Sequence, residues 1–193
     1  MRKLIVSINL TLDGYHAGPD GELDWHISSW TREMGDAMCS QLAKADTILL
    51  GRITYNALAA YSSLKLAGPS CQGEDFAFAN MMDCYAKIVF SKTMVSASWK
   101  NTSLLKGNMQ AQIARLKKKP GRDIMVYGSN QLVNGLVAAD LVDEYRLWIH
   151  PVILGNGKPL FRNLPAKLYL HLLNTERFPS GVVMMHYQSL HTG

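Results

Sequence analysis

Apolar residues recur along this chain in two rhythms. Short continuous runs such as Leu4-Ile5-Val6, Ile48-Leu49-Leu50 and Ile124-Met125-Val126 alternate with longer stretches in which apolar positions return every three to four residues. The first rhythm reads as buried strands and the second as helices lying over them. The pattern predicts a strand over 3–10 that ends at the turn Asp13-Gly14, then a loop over 14–29 holding Gly14, Gly18, Pro19, Gly21 and Trp25. A connection of that length without structure of its own is usually functional. A helix over 31–44 follows, with Met34, Met38, Leu42 and Ala45 on one face and Thr31 as its N-cap. Residues 46–50 read as a buried strand, 54–60 as the start of a helix, and 62–75 as a loop rich in Ser, Gly and Pro. A short helix over 76–84 precedes a strand over 87–91.

The second half repeats the theme. Met109, Ile113 and Leu116 mark a helix over 109–119, and 124–127 is a short strand ending at Gly128. A helix over 130–138 turns Leu132, Val133 and Leu136 inward, and a long strand covers 144–154. Extended segments at 167–177 and 182–190, joined at Pro179-Ser180-Gly181, read as a hairpin. Strands alternating with helices predict an α/β fold: a mostly parallel central sheet, helices on both faces and an antiparallel C-terminal edge. The 193 residues fit one domain spanning 1–193.

Composition narrows the class. Hydrophobic residues make up 48% and charged residues 18%, an ordinary globular mixture. The net charge of +5 fits an anionic ligand, but the basic residues are scattered and form no stripe for nucleic acid. The one run, Lys117-Lys118-Lys119, suits a last helical turn. Cys39, Cys71 and Cys84 form no C-x-x-C pair and read as reduced thiols of a cytoplasmic protein. The polar residues Ser7, Asn9 and Thr11 interrupt the start of the chain too soon for a signal peptide, and no apolar stretch is long enough to span a bilayer. The histidines show no metal-ligand spacing, so no metal is expected; His150 and His171 read as packing or surface residues of strands.

Three strand ends share a design. Gly51-Arg52-Ile53-Thr54-Tyr55 follows the apolar run Ile48-Leu49-Leu50 and opens a helix. A glycine there lets backbone approach an anion, the helix start offers free N–H groups, and Arg52 adds a planar cationic fork. Ser91-Lys92-Thr93 closes the next strand with two hydroxyls around a lysine, and Gly128-Ser129-Asn130 sits before another helix. Along one sheet edge they would grip an extended anion such as a phosphorylated dinucleotide. The G-x-G-x-x-G fingerprint is absent, and Gly155-Asn156-Gly157-Lys158 is a tight turn, not a P-loop.

These segments, together with 7–14, 124–129 and the stretch from Leu141 to Gly157, occur in an order that resembles the dihydrofolate reductase superfamily. Within it the chain is most similar to the reductase domain of riboflavin-biosynthesis deaminase-reductases and its stand-alone relatives. The resemblance implies a three-layer dihydrofolate reductase-like fold and NADPH as hydride donor. It implies that Gly51, Arg52 and Thr54 hold the adenosine-side phosphates, with Ser91 and Lys92 near the 2′-phosphate. Gly128, Ser129, Asn130 and Leu132 would lie against the pyrophosphate and nicotinamide ribose. The family pattern has two adjacent glycines where this chain has Gly128-Ser129, and a serine there needs a negative φ or tolerated strain.

The loop from Leu12 to Trp25 would then be a lid whose closure excludes water. Proton delivery falls to a carboxylate of the first helix, Glu33 or Asp36, with Asp36 better placed by its distance to Gly51; a solvated helix carboxylate is the alternative for either. Asp13 is a polar group at the pocket mouth or simply a turn residue, and Trp25 a platform for a flat heterocycle or a capping aromatic. The expected activity is reduction of a ribosylaminopyrimidine of the riboflavin-precursor type. Folate reduction and a nucleotide-binding protein without catalysis are the alternatives. The partners expected are a small heterocyclic substrate, no membrane, and a second copy of the chain through the strand over 144–154 and the hairpin.

Overall fold

A computed structural model of the chain describes residues 1–67 and 74–190; Cys71, His191 and the middle of the sequence-predicted loop over 62–75 lie outside them. Ten strands and five α-helices follow in the order β1 (Leu4–Thr11), β2 (Tyr15–Ala17), a 3-10 helix (Asp24–Ser29), α1 (Arg32–Leu42), β3 (Ala45–Gly51), α2 (Arg52–Ala67), α3 (Glu74–Cys84), β4 (Ala86–Phe90), β5 (Thr102–Leu105), α4 (Met109–Lys118), β6 (Asp123–Val126), α5 (Asn130–Ala138), β7 (Glu144–His150), β8 (Lys158–Pro159), β9 (Leu170–Arg177) and β10 (Val183–Ser189). Eight strands form one sheet in the order β5-β4-β3-β6-β1-β7-β10-β9. From β5 to β7 every pairing is parallel, and β10 and β9 close the sheet antiparallel.

Alternation along the strands sends side chains into two separate layers. Leu4, Val6, Ile8, Leu49, Ile124 and Val126 pack under α4 and α5 with Ile113, Val133 and Leu136. The opposite face carries Ile5, Ile48, Leu50 and Met125 beneath α2 and α3. Beside them Trp148 and Met184 meet Met34 and Met38 of α1. This is the three-layer, mostly parallel arrangement expected, with its antiparallel edge hairpin.

Several boundaries differ from the sequence pattern, each for a physical reason. Residues 14–29 are not a plain loop: β2 pairs with β8, and the 3-10 helix caps the end of the sheet. The helix α2 continues to Ala67, one residue before the breakers Gly68-Pro69, and Ser62 donates to the carbonyl of Ala79 on α3 at 3.3 Å. The strand expected over 144–154 stops at His150, because Pro151 has no N–H for the ladder and the chain turns with Val152 N–H donating to His150 O at 2.8 Å. The edge strand β5 had too short an apolar run to register. Thr31 does cap α1, accepting from the N–H of Met34 at 3.4 Å.

Lys87 illustrates how the fold uses a charge internally. It is 1% exposed, and its Nζ donates to the carbonyls of Met82, Asp83 and Tyr85, satisfying the open end of α3. The ammonium also lies 4.5 Å from the centre of the Trp99 ring.

Candidate active site

The three strand ends singled out by sequence belong to β4, β3 and β6, which are direct neighbours running parallel. Their carboxyl ends therefore share one edge, with β1 and β7 continuing it. Two of these ends touch. The N–H of Gly51 donates to the carbonyl of Gly128 at 2.8 Å. A Cβ on Gly51 would come within 2.9 Å of the backbone nitrogen of Ser129, and one on Gly128 within 3.1 Å of Thr54 Oγ1. Gly51 is thus required by the turn after β6 that packs upon it. The Gly128–Ser129 peptide is cis. Gly128 takes the positive φ of +118°, and Ser129 sits at φ −76° as the N-cap residue of α5. The serine in the second glycine position therefore carries no left-handed backbone, which falls on Gly128 alone.

Around this junction the polar groups sort into engaged and available. Tyr55 is engaged: it is buried, and its hydroxyl accepts from the N–H of Trp99 at 2.8 Å. Ser91 is engaged in its own turn, accepting from the N–H of Met94 at 3.0 Å, and this turn carries the exposed Lys92. The amide of Asn130 donates to the carbonyl of Pro159 and accepts from Asn134, tying the start of α5 to β8. Leu132 is 7% exposed and belongs to the core. By contrast, Arg52, Thr54 and Ser129 have no side-chain hydrogen bond or ion pair to the described residues, and Ser129 makes no capping bond. They surround the N-termini of α2 and α5, where backbone N–H groups have no helical acceptor. Two hydroxyls and two helix starts meet at this junction, and Arg52 opens α2 beside them, which is an anion-binding arrangement.

The remaining predicted residues lie elsewhere. Asp13 is exposed and accepts from Thr11 Oγ1 at 2.6 Å and from the N–H of Gly155 at 2.8 Å, bracing its turn against the turn after β7. The Thr11 hydroxyl, first, and these N–H groups hold its carboxyl below the usual range. Glu33 and Asp36 are both exposed, because the stripe Met34, Met38 and Leu42 faces inward. Asp36 stands 4.0 Å from Arg32. Glu33 is held below the ordinary carboxylate range by its own backbone N–H and the Thr31 hydroxyl. Neither carboxylate joins the groups at the strand ends.

A second cluster, at the ends of β1 and β7, was not found by sequence. His150 is 0% exposed; its Nε2 lies 3.1 Å from Asn9 Oδ1 and its Nδ1 2.6 Å from Ser29 Oγ. Trp25 meets the imidazole edge-on at 5.3 Å, and His26 lies 5.9 Å away. Burial first, and the neighbouring His26 second, push the pKa of His150 down to about 4, so the ring is neutral at neutral pH. The Ser29 hydroxyl also faces the His26 carbonyl, to which it donates at 3.1 Å, so the donor at each His150 nitrogen follows the ring's tautomer. This cluster fastens the 3-10 helix to the sheet edge. Its signal in the sequence was a lone histidine before Pro151, with its partners 121 and 141 residues away.

Sequence comparison decides the family. Residues 2–184 match the model of the RibD C-terminal domain. The chain belongs to that family. The uncharacterized protein YyaP of Bacillus subtilis is 36% identical to it over 186 residues, covering 96% of this chain and 94% of its own. In structure the chain is similar to a diaminohydroxyphosphoribosylaminopyrimidine deaminase/5-amino-6-(5-phosphoribosylamino)uracil reductase of Thermotoga maritima. That likeness has a TM-score of 0.65 at 13% identity and covers 97% of this chain and 56% of the other. It is also similar to the dihydrofolate reductase of Enterococcus faecalis complexed with NADP(H), at TM-score 0.63 and 14% identity, over 98% of this chain and 97% of that one. At such identities the structural likeness speaks for the fold, which is dihydrofolate reductase-like.

Proposed function

We propose that this RibD C-terminal domain protein is an NADPH-dependent reductase acting on a flat nitrogen heterocycle, of the ribosylaminopyrimidine type that riboflavin-precursor reductases use. The observation that carries the reading is the availability of Arg52, Thr54 and Ser129 around two helix starts at adjacent strand ends. These groups fit a dinucleotide. The Arg52 fork and the α2 start would take phosphate oxygens on the adenosine side, with Lys92 near the 2′-phosphate. Thr54, Ser129 and the α5 start would take the pyrophosphate. NADPH supplies a hydride when bound.

The protein's share is then to position and to exclude water. The segment from Leu12 to Trp25 covers the β1 end of the edge, held by β2–β8 pairing and by the Asp13 brace. Trp25, half-buried against His150, offers a wall for a planar ring. Asn130 and Leu132 hold α5 in place beneath the groove. Asp36 or Glu33 is the proposed proton source, and the proposed setting is cytoplasmic.

One observation favours a second reading, a nucleotide-binding protein without turnover: both α1 carboxylates are exposed, and neither makes a hydrogen bond or ion pair to the strand-end residues among those described. A single set of measurements separates the two. NADPH titration should saturate, and Arg52→Ala should weaken it about tenfold or more, the worth of a charge-assisted phosphate contact. NADPH oxidation with a phosphoribosylaminopyrimidine and with dihydrofolate then reads turnover. Binding without turnover of either favours the second reading. Folded protein that shows no saturation removes both.

A further inference from the structure

On the α1 face of the sheet a buried charge stands apart from the strand-end groove. Arg146 lies in β7 and is 6% exposed. Its register partner is Ser7, four residues back from the His150–Thr11 pair, so it sits about 13 Å from the carboxyl edge. No carboxylate among the described residues lies within ion-pair distance of it, and its Nη1 has no hydrogen-bond partner there. Glu144, two residues away on the same strand, attracts the guanidinium at longer range, but its oxygens are engaged by Lys3 at 2.6 Å and His186 at 2.8 Å. A guanidinium keeps its charge even where burial lowers its pKa, and a buried charge without a counter-ion is strongly disfavoured. A second atom is stranded beside it: Gln41 Oε1 of α1, in a residue 9% exposed, has no donor.

Both residues line one cavity of about 280 Å³ between α1 and the β9–β10 hairpin, with Ser40, Lys44, His186 and the exposed carboxylate Glu176 also in its wall. An anionic oxygen would supply the counter-charge that Arg146 lacks, and a hydroxyl hydrogen on the same ligand would satisfy Gln41 Oε1. We propose that the pocket formed by Arg146, Gln41 and Lys44 binds a small oxyanion that also carries an O–H, either a hydrogen phosphate group or an α-hydroxycarboxylate, separately from the nucleotide groove.

The probes are inorganic phosphate and malate, added to the full chain at matched ionic strength and read by calorimetry and thermal melting. One of them should bind saturably and raise the melting temperature by about 4 °C at ten times its dissociation constant. Arg146→Met should abolish that response, and Gln41→Leu should weaken it about tenfold, while NADPH titration stays as in the wild type. Arg52→Ala should leave the probe response intact, since it alters only the other site. If Arg146→Met fails to fold, Arg146→Lys serves instead, with a loss of tenfold or more. No saturable response to either probe overturns the proposal, as does a response that survives Arg146→Met or is lost with Arg52→Ala. A dimer that dissociates on Arg146→Met also overturns it, since the counter-charge would then come from a second copy.

Discussion

At the scale of single residues, His150 ties stability to pH most directly. Its folded pKa of about 4 lies below the ordinary 6.5, so the folded state resists the proton that the unfolded chain accepts. The contribution is therefore fully present above pH 6.5 and is lost as pH falls through 4. The loss amounts to no more than about 3 kcal/mol for this one group. His26 and His16 are lowered by burial as well and act in the same direction. Urea unfolding of the wild type should show stability falling between pH 6.5 and 4, and His150→Gln should flatten part of that fall; a parallel pH profile in the variant would remove His150 as the cause. None of this was legible around His150, because a histidine before a proline looks the same whether it faces solvent or is sealed by Trp25 and Ser29. Asp36 was legible in part: the stripe of Met34, Met38 and Leu42 that predicts α1 also turns position 36 outward.

At the scale of elements, the junction of β3–α2 with β6–α5 is the tightest constraint. Local propensity found both glycines, and only packing assigned their roles. Gly51 is small so that the Gly128–Ser129 turn can approach it, while Gly128 supplies the positive φ. Gly51→Ala would drive a methyl toward the Ser129 backbone nitrogen, 2.9 Å away, where only backbone movement gives relief. Such overpacking costs about 1–3 kcal/mol and would shift Ser129. The variant should melt several degrees lower and bind NADPH more weakly than the wild type. Unchanged melting would mean that the turn is looser than this contact implies.

At the scale of the whole molecule, the sheet ends in a long unprotected edge. Along β9 nearly every residue is exposed, Leu172 and Leu173 by 47% and 44%, and its outer N–H and C=O groups have no strand beside them among the described residues. Edges of this kind favour pairing with another chain. The expected outcome is a homodimer through β9, eluting near twice 21.5 kDa, with Leu172→Lys shifting it toward the single-chain size. Elution of the wild type at the single-chain mass would reject this. The sequence by itself determined the order of the longer strands and helices, the α/β layering, the closing hairpin and the positions where glycine shapes a helix start, but not the short strands β2, β5 and β8. Those features depend on periodicity and turn chemistry within a few residues of one another. Only the tertiary structure decided which polar groups hold the fold and which stay available. Asn130 is engaged by Pro159 and Asp13 by Gly155, His150 joins Asn9 and Ser29, and Arg146 is buried beneath α1 with its Nη1 unpartnered among the described residues. Asp13 and Gly155, 142 residues apart, are brought together because β1 and β7 pair in register, which no local pattern encodes.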